Sequence, residues 1–259
     1  MIDYTKDYIK YPLDIISGKI TACKNIIKSC ERFMSFFERD DMWFDYDSID
    51  KYIRFVYQMR HYQGIFKDKH FTLLPWEQWI FAGLWGFKWK SDNTVVTNRA
   101  LVFCARKNAK TALCAAIALI HVWFQENGAE VDFMANSTKQ AGIAFGHTLN
   151  FAKSLDPKGK YFRRYRDTIK IPKSQSVIQV MSTDLASLDG YNASLAIFDE
   201  ANSYKSWDLY NVLISSMGMR RNPLAIMIST AGFLLDGYPL FEYRKTCIDI
   251  LNGMKTDDS

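Results

Sequence analysis

The features of a secreted, metal-stapled or membrane-spanning chain are missing from this sequence. Its cysteines, Cys23, Cys30, Cys104, Cys114 and Cys247, are odd in number, scattered and mostly set inside apolar runs, and no CxxC occurs. That pattern fits free thiols in a reducing compartment and excludes a disulfide framework. His61, His70, His121 and His147 are equally dispersed, which argues against a zinc site. The opening MIDYTKDYIKYPLDII carries acidic residues and no signal-peptide h-region. The longest apolar stretch, about residues 113–124, is too short to cross a bilayer and contains His121. A cytoplasmic protein without a membrane partner is expected. Internal repeats and low-complexity segments are also absent. What remains is an ordinary globular composition, 48% hydrophobic and 24% charged, with a formal charge of +5 that permits an anionic partner without requiring one.

Glycine is missing where a nucleotide-binding reading would need it. The stretch LVFCARKNAKTALCAAIALI, residues 101–120, runs from a short apolar strand through a polar connector into a helix. The usual phosphate loop, G-x-x-x-x-G-K-[ST], uses glycines so that backbone N–H groups can wrap the phosphates, with Lys on the β/γ oxygens and the hydroxyl on Mg²⁺. Aligned on Lys110 and Thr111, Cys104 and Ala109 occupy the two glycine positions. The context still fits: strand, short basic loop, Lys-Thr, and a helix whose first turn points N–H groups at an anion. Ala109 is expected to cost the loop only the freedom to adopt φ > 0, while the charges of Arg106 and Lys107 replace some of the lost backbone contacts. An ordinary strand-to-helix junction with exposed basic residues accounts for the same stretch, so the rest of the chain must decide.

The first hundred residues look mainly helical. TACKNIIKSCERFMSFFER places Ile26, Ile27, Cys30, Phe33, Met34 and Phe37 at helical spacing, and SIDKYIRFVYQMRHY repeats the pattern. In FTLLPWEQWIFAGLWGF, Pro75 suits a first helical position, with Gly83 and Gly86 closing a short helix. From about Thr94 apolar runs alternate with amphipathic segments. Strands are expected at 101–105, 131–135, 195–198 and 224–229, helices near 110–126, 138–154 and 206–217, and a hairpin in TIKIPKSQSVIQVMST with its turn at 172–176. This alternation predicts an α/β fold with a mostly parallel sheet, helices on both faces and ligands at the carboxyl ends of the strands.

In NASLAIFDEANSY, residues 192–204, four apolar residues form a buried strand with Asp199 and Glu200 at its carboxyl end, the sheet edge that also holds Lys110. This is the Walker B arrangement. Asp199 would hold Mg²⁺ through its water shell, and Glu200 would orient or deprotonate the attacking water. LAIMISTAGF is a further buried strand, ending in Ser229 and Thr230, whose hydroxyls would reach the γ-phosphate or Glu200. Three such coincidences at one edge favour ATP and Mg²⁺ as ligands, with Glu200 and Lys110 catalytic, the Arg106 to Thr111 loop on the phosphates and Thr111 and Asp199 on the metal.

At these residues the chain resembles a known family, the large terminase subunit of tailed bacteriophages, an ATP-driven motor that packages DNA into a preformed capsid. The resemblance covers nearly the whole chain, in DIISGKITACKNIIKSCER, LLPWEQWIFAGLWGF, ARKNAKTAL, SLDGYNASLAIFDEA and RRNPLAIMISTAGF. It implies a P-loop ATPase fold of the ASCE type, which we place at residues 73–259, preceded by an N-terminal helical segment at residues 1–72. Family members carry phosphate loops with Arg before Lys-x-x-Lys-[ST], a pattern that Arg106, Lys107, Asn108, Ala109, Lys110 and Thr111 resemble, although most relatives keep glycine where Ala109 stands. By the same resemblance Trp76 and Gln78 read adenine, and Ser229 to Gly232 couple hydrolysis to movement. The implied partners are double-stranded DNA, a homo-oligomeric ring, a small terminase subunit and a portal protein, in the host cytoplasm.

The trans-acting arginine finger of several branches does not carry over, since its position holds Asp189. Basic alternatives are Arg163, Arg164, Arg166, Arg220 and Arg221. The family's nuclease domain lies beyond the tail ILNGMKTDDS, so an ATPase half without nuclease activity is expected. Two other readings stay open. One is a helicase-like translocase, which would need a second motor domain. The other is a non-catalytic nucleic-acid-binding protein with a decayed loop, which would not need Lys110, Thr111, Asp199 and Glu200 together.

Overall fold

A computed structural model of the chain describes residues 2–134, 138–181, 192–232 and 237–257. The chain divides into two units that interleave in sequence: one holds Met1–Arg54, Thr72–Asn98 and Arg244–Ser259, the other Phe55–Phe71 and Arg99–Tyr243.

The first unit is built on the helical spacing of its apolar residues. Helix α1 (Asp7–Ile16) packs on α2 (Lys24–Ser35). Strand β1 (Met42–Phe44) leads into α3 (Tyr46–Tyr57), which runs out of this unit. Helix α4 (Pro75–Trp85) has its proline at the first helical position, and its Leu74 N–H donates to the buried Glu77 carboxylate at 2.8 Å. It is followed by β2 (Phe87–Trp89), antiparallel to β1. Phe33, Phe37, Phe44 and Phe87 form an edge-to-face cluster. This packing explains Gly86: a Cβ there would come within 2.2 Å of the Phe44 ring and 2.5 Å of Ala82 O. Gly83, expected to help close the helix, lies inside it.

The second unit holds the sheet. Its elements are β3 (Arg99–Phe103), α5 (Lys110–Phe124), β4 (Glu130–Met134), α6 (Thr138–Leu155), β5 (Arg163–Arg164), β6 (Thr168–Ile171), β7 (Ser176–Val180), β8 (Leu195–Asp199), α7 (Asp208–Ser216) and β9 (Leu224–Ser229). Helix α8 (Pro239–Leu251) begins here and continues into the other unit. Strand order is β3-β9-β8-β4-β7-β6-β5. The first five strands are parallel, and β6 and β5 are added antiparallel at one edge. The α/β architecture with a mostly parallel sheet is as expected, including the hairpin, which is β6–β7.

Because β8 and β9 are covered on both faces, every residue from Leu195 to Phe198 and from Leu224 to Ser229 is buried. Helix α5 is apolar all round and almost wholly buried, so it lies in the core. On one side of the sheet Ala196, Phe198, Ala225 and Met227 pack with Leu209, Tyr210 and Leu213 of α7. Among the described residues no helix is long and apolar enough to cross a membrane. All five cysteines are free thiols.

Candidate functional site

The strand order assembles the site. β9 lies between β3 and β8, with Phe103 paired to Ser229 and Asp199 to Ile228, so three strands end together at one edge. Three sequence-distant segments meet there: the loop after β3, the carboxylates after β8 and the hydroxyls after β9. Cys104 N–H donates to Ser229 O at 3.2 Å, which carries the pairing of β3 one residue into the loop.

The loop itself is exposed from Ala105 to Ala109 and closes on the buried Lys110. Lys107 and Ala109 both have positive φ, 68° and 49°. The expectation that alanine withholds this conformation is corrected: Ala109 is left-handed, because the chain must reverse there to start α5. Alternation of left-handed residues turns successive N–H groups to one side, and the first N–H groups of α5 have no acceptor within the helix. Asn108 Nδ2 braces the turn from Ala105 O at 3.0 Å. The Lys110 ammonium donates to Ala105 O at 3.2 Å, and its charge acts on Asp199. Thr111 is half-buried beside it.

Burial pushes the Asp199 carboxyl up to about 6, and the neighbouring Glu200 charge adds to this against the Glu200 N–H, at 2.9 Å, and Lys110. Glu200 is itself left-handed, at φ 49° and ψ 50°. Ser229 Oγ accepts the Asn202 N–H at 3.0 Å and donates to Thr230 O at 2.9 Å. It therefore meets Glu200 through Asn202 rather than directly. Thr230 Oγ1 is buried and makes no hydrogen bond among the described residues. Asn202 is the residue that sequence reasoning passed over, and its place two positions after Glu200 in DEAN was the available signal.

Trp76 and Gln78 belong to the first unit, on the first turn of α4, where both are half-buried and Gln78 Nε2 donates to Leu73 O at 3.0 Å. Of the basic alternatives, Arg220 lies at the other end of the strands. Its guanidinium reaches Asn192 O, Gly128 O at 2.9 Å and Glu126 Oε1 at 3.0 Å. Arg164 donates to Asp156 O at 2.6 Å, and Arg163, Arg166 and Arg221 are exposed. Asp189 lies outside the described residues.

A parallel sheet in which a Lys-Thr helix start and a paired carboxylate are separated by one intervening strand defines a P-loop NTPase of the ASCE type. Within that class, the family model for the terminase large subunit ATPase domain matches residues 75–245, and the chain belongs to this family. Protein YmfN of Escherichia coli (strain K12) is 36% identical over 70 residues, covering 27% of this chain and 15% of that protein. The terminase large subunit of Enterobacteria phage HK97 is 29% identical over 152 residues, covering 54% of this chain and 29% of that protein. The crystal structure of the HK97 bacteriophage large terminase superposes with a TM-score of 0.65 at 21% identity, covering 78% of this chain and 41% of that one, which shows the shared fold. The matched regions span less than a third of the length of either curated relative.

Proposed function

We propose that the chain binds and hydrolyses Mg-ATP at the carboxyl edge of its sheet. Hydrolysis would drive double-stranded DNA into a viral capsid within a homo-oligomeric ring, in the host cytoplasm, with a small terminase subunit and a portal protein as partners. The observation that carries this reading is the meeting of the Lys110 loop, Asp199 with Glu200, and Ser229 with Thr230 at the ends of three adjacent strands. The residues present fit a triphosphate and its metal. The left-handed pair Lys107 and Ala109 would shape a concave run of N–H donors, and Asp199 is a half-buried carboxylate that accepts the Glu200 N–H, as suits a site where a cation stabilises its charge. Thr111 and Asp199 would hold Mg²⁺, which when bound neutralises charge on the β and γ oxygens.

Lys110 would exchange Ala105 O for those oxygens, with Arg106, Lys107 and Asn108 flanking the phosphates. Glu200 would orient the attacking water and take its proton. Thr230, whose buried hydroxyl has no partner among the described residues, would bond the γ-phosphate. For adenine we propose Trp76 and Gln78, on the family resemblance. Catalysis in this class is chiefly positioning and charge stabilisation. The test is phosphate release measured beside nucleotide affinity. Glu200→Gln should abolish turnover and leave ATP binding intact, while Lys110→Ala should weaken binding itself. Parent-like hydrolysis by both variants would remove the reading.

A further inference from the structure

The proposed mechanism gives Asn202 no role, yet this side chain joins two of the three segments that meet at the site. Glu200 is held in a left-handed conformation that is unfavourable for a residue with a Cβ, and the groups that hold it come from the next turn. Ser203 N–H and Oγ donate to Glu200 O at 2.9 and 2.7 Å. Asn202 adds the link to the carboxylate. Its amide orientation follows from its neighbours: both Glu200 oxygens beside it are acceptors, so the amide nitrogen faces them, and Ser229 Oγ, free to donate to Thr230 O, accepts from the same nitrogen. In that orientation Nδ2 lies 3.2 Å from Glu200 Oε2, 3.1 Å from Glu200 O and 3.1 Å from Ser229 Oγ. The backbone N–H of Asn202 donates to the same Ser229 Oγ. Behind it lies Gly232, with φ +52°, so close that a Cβ there would stand 2.6 Å from Asn202 Cβ.

We propose that Asn202 is a positioning residue for hydrolysis, whose amide ties the Glu200 carboxylate to the Ser229–Gly232 end of β9. A displacement of that end then moves the water-activating carboxylate, and the reverse. The proposal rests on the ATPase reading above. It commits Asn202 to acting through Glu200, without contact to the nucleotide, so its loss should appear in kcat and not in affinity.

The test uses the whole chain, with phosphate release under saturating Mg-ATP, Mg-ADP affinity by calorimetry and thermal unfolding. Asn202→Asp keeps the side-chain shape but cannot donate to a carboxylate, and Asn202→Ala removes the link. Both should lower kcat by about 10- to 100-fold, the usual cost of losing an outer partner that aims a reacting group, with Mg-ADP affinity and Tm at the parent values. Ser229→Ala should lower kcat as well, and combining it with Asn202→Ala should cost no more than Asn202→Ala alone, because both break one link. If Asn202→Ala does not fold, Asn202→Asp and Ser229→Ala carry the test. Parent-like kcat in Asn202→Asp, while Glu200→Gln is inactive, leaves the ATPase reading standing and overturns this proposal. So does a loss confined to affinity or Tm. A parent chain that neither binds nor hydrolyses ATP removes the ATPase reading, and this proposal falls with it.

Discussion

At the scale of single residues, Ala109 has the conformation its side chain favours least. A left-handed residue with a Cβ costs about 1–2 kcal/mol, and Ala109 adopts it at φ 49° because the loop must reverse into α5 within one step. Glycine would remove that strain, and since Ala109 is exposed, little packing would be lost with its methyl group. The unfolded chain would gain freedom worth about 0.4–1 kcal/mol against folding. The balance favours Ala109→Gly by roughly 0.5–1 kcal/mol. The expected outcome is a higher unfolding midpoint in denaturant with Mg-ATP affinity equal to the parent's or tighter. A marked loss of affinity would show that the methyl group contributes to the phosphate cradle.

At the scale of elements, Arg220 ties together loops at the amino ends of the strands. Its side chain is 12% exposed, and it bridges Glu126 and Gly128, before β4, to Asn192, before β8. Arg220→Ala would leave these carbonyls and Glu126 without their donor, at a cost of about 1–3 kcal/mol, measurable in denaturant, while Mg-ADP affinity stays unchanged. Loss of turnover without loss of stability would instead return Arg220 to the catalytic candidates. The contrast shows where sequence reasoning stops. The strands from Leu195 and Leu224, helix α5 and the β6–β7 hairpin were legible because buried runs and helical periodicity are local. The order that puts β9 between β3 and β8 was not, since parallel pairing joins residues more than a hundred positions apart, as in Phe103 with Ser229. The β1–β2 pair escaped notice because three residues are too few to show alternation, and β5 because its two residues sit in the basic run YFRRYR. The carboxylates and the lysine were legible as motifs, whereas the left-handed turn at Ala109 and the bridging role of Asn202 depend on what folds against them.

At the scale of the whole molecule, the sheet separates its basic edge from its own phosphate loop. β3 and β5 are the first and seventh strands of the order, so at the usual strand spacing of about 4.8 Å they stand roughly 29 Å apart. Arg163, on β5, and Arg166, in the turn after it, are exposed at that far edge. A side chain cannot cross that distance to its own site, so a finger drawn from this edge would have to serve a neighbouring copy. In the proposed ring, Coulomb attraction between such an arginine and the charge building on the transferred phosphoryl group would supply about 10³ to 10⁵ in rate. The dilute chain should therefore bind Mg-ATP yet turn over slowly, and its activity per molecule should rise with protein concentration. Replacing the finger with alanine, tested first at Arg163 and Arg166, should flatten that rise without altering nucleotide affinity. Phosphate release followed across a wide concentration range decides the matter, because activity per molecule that stays constant would place the stabilising charge within the chain itself.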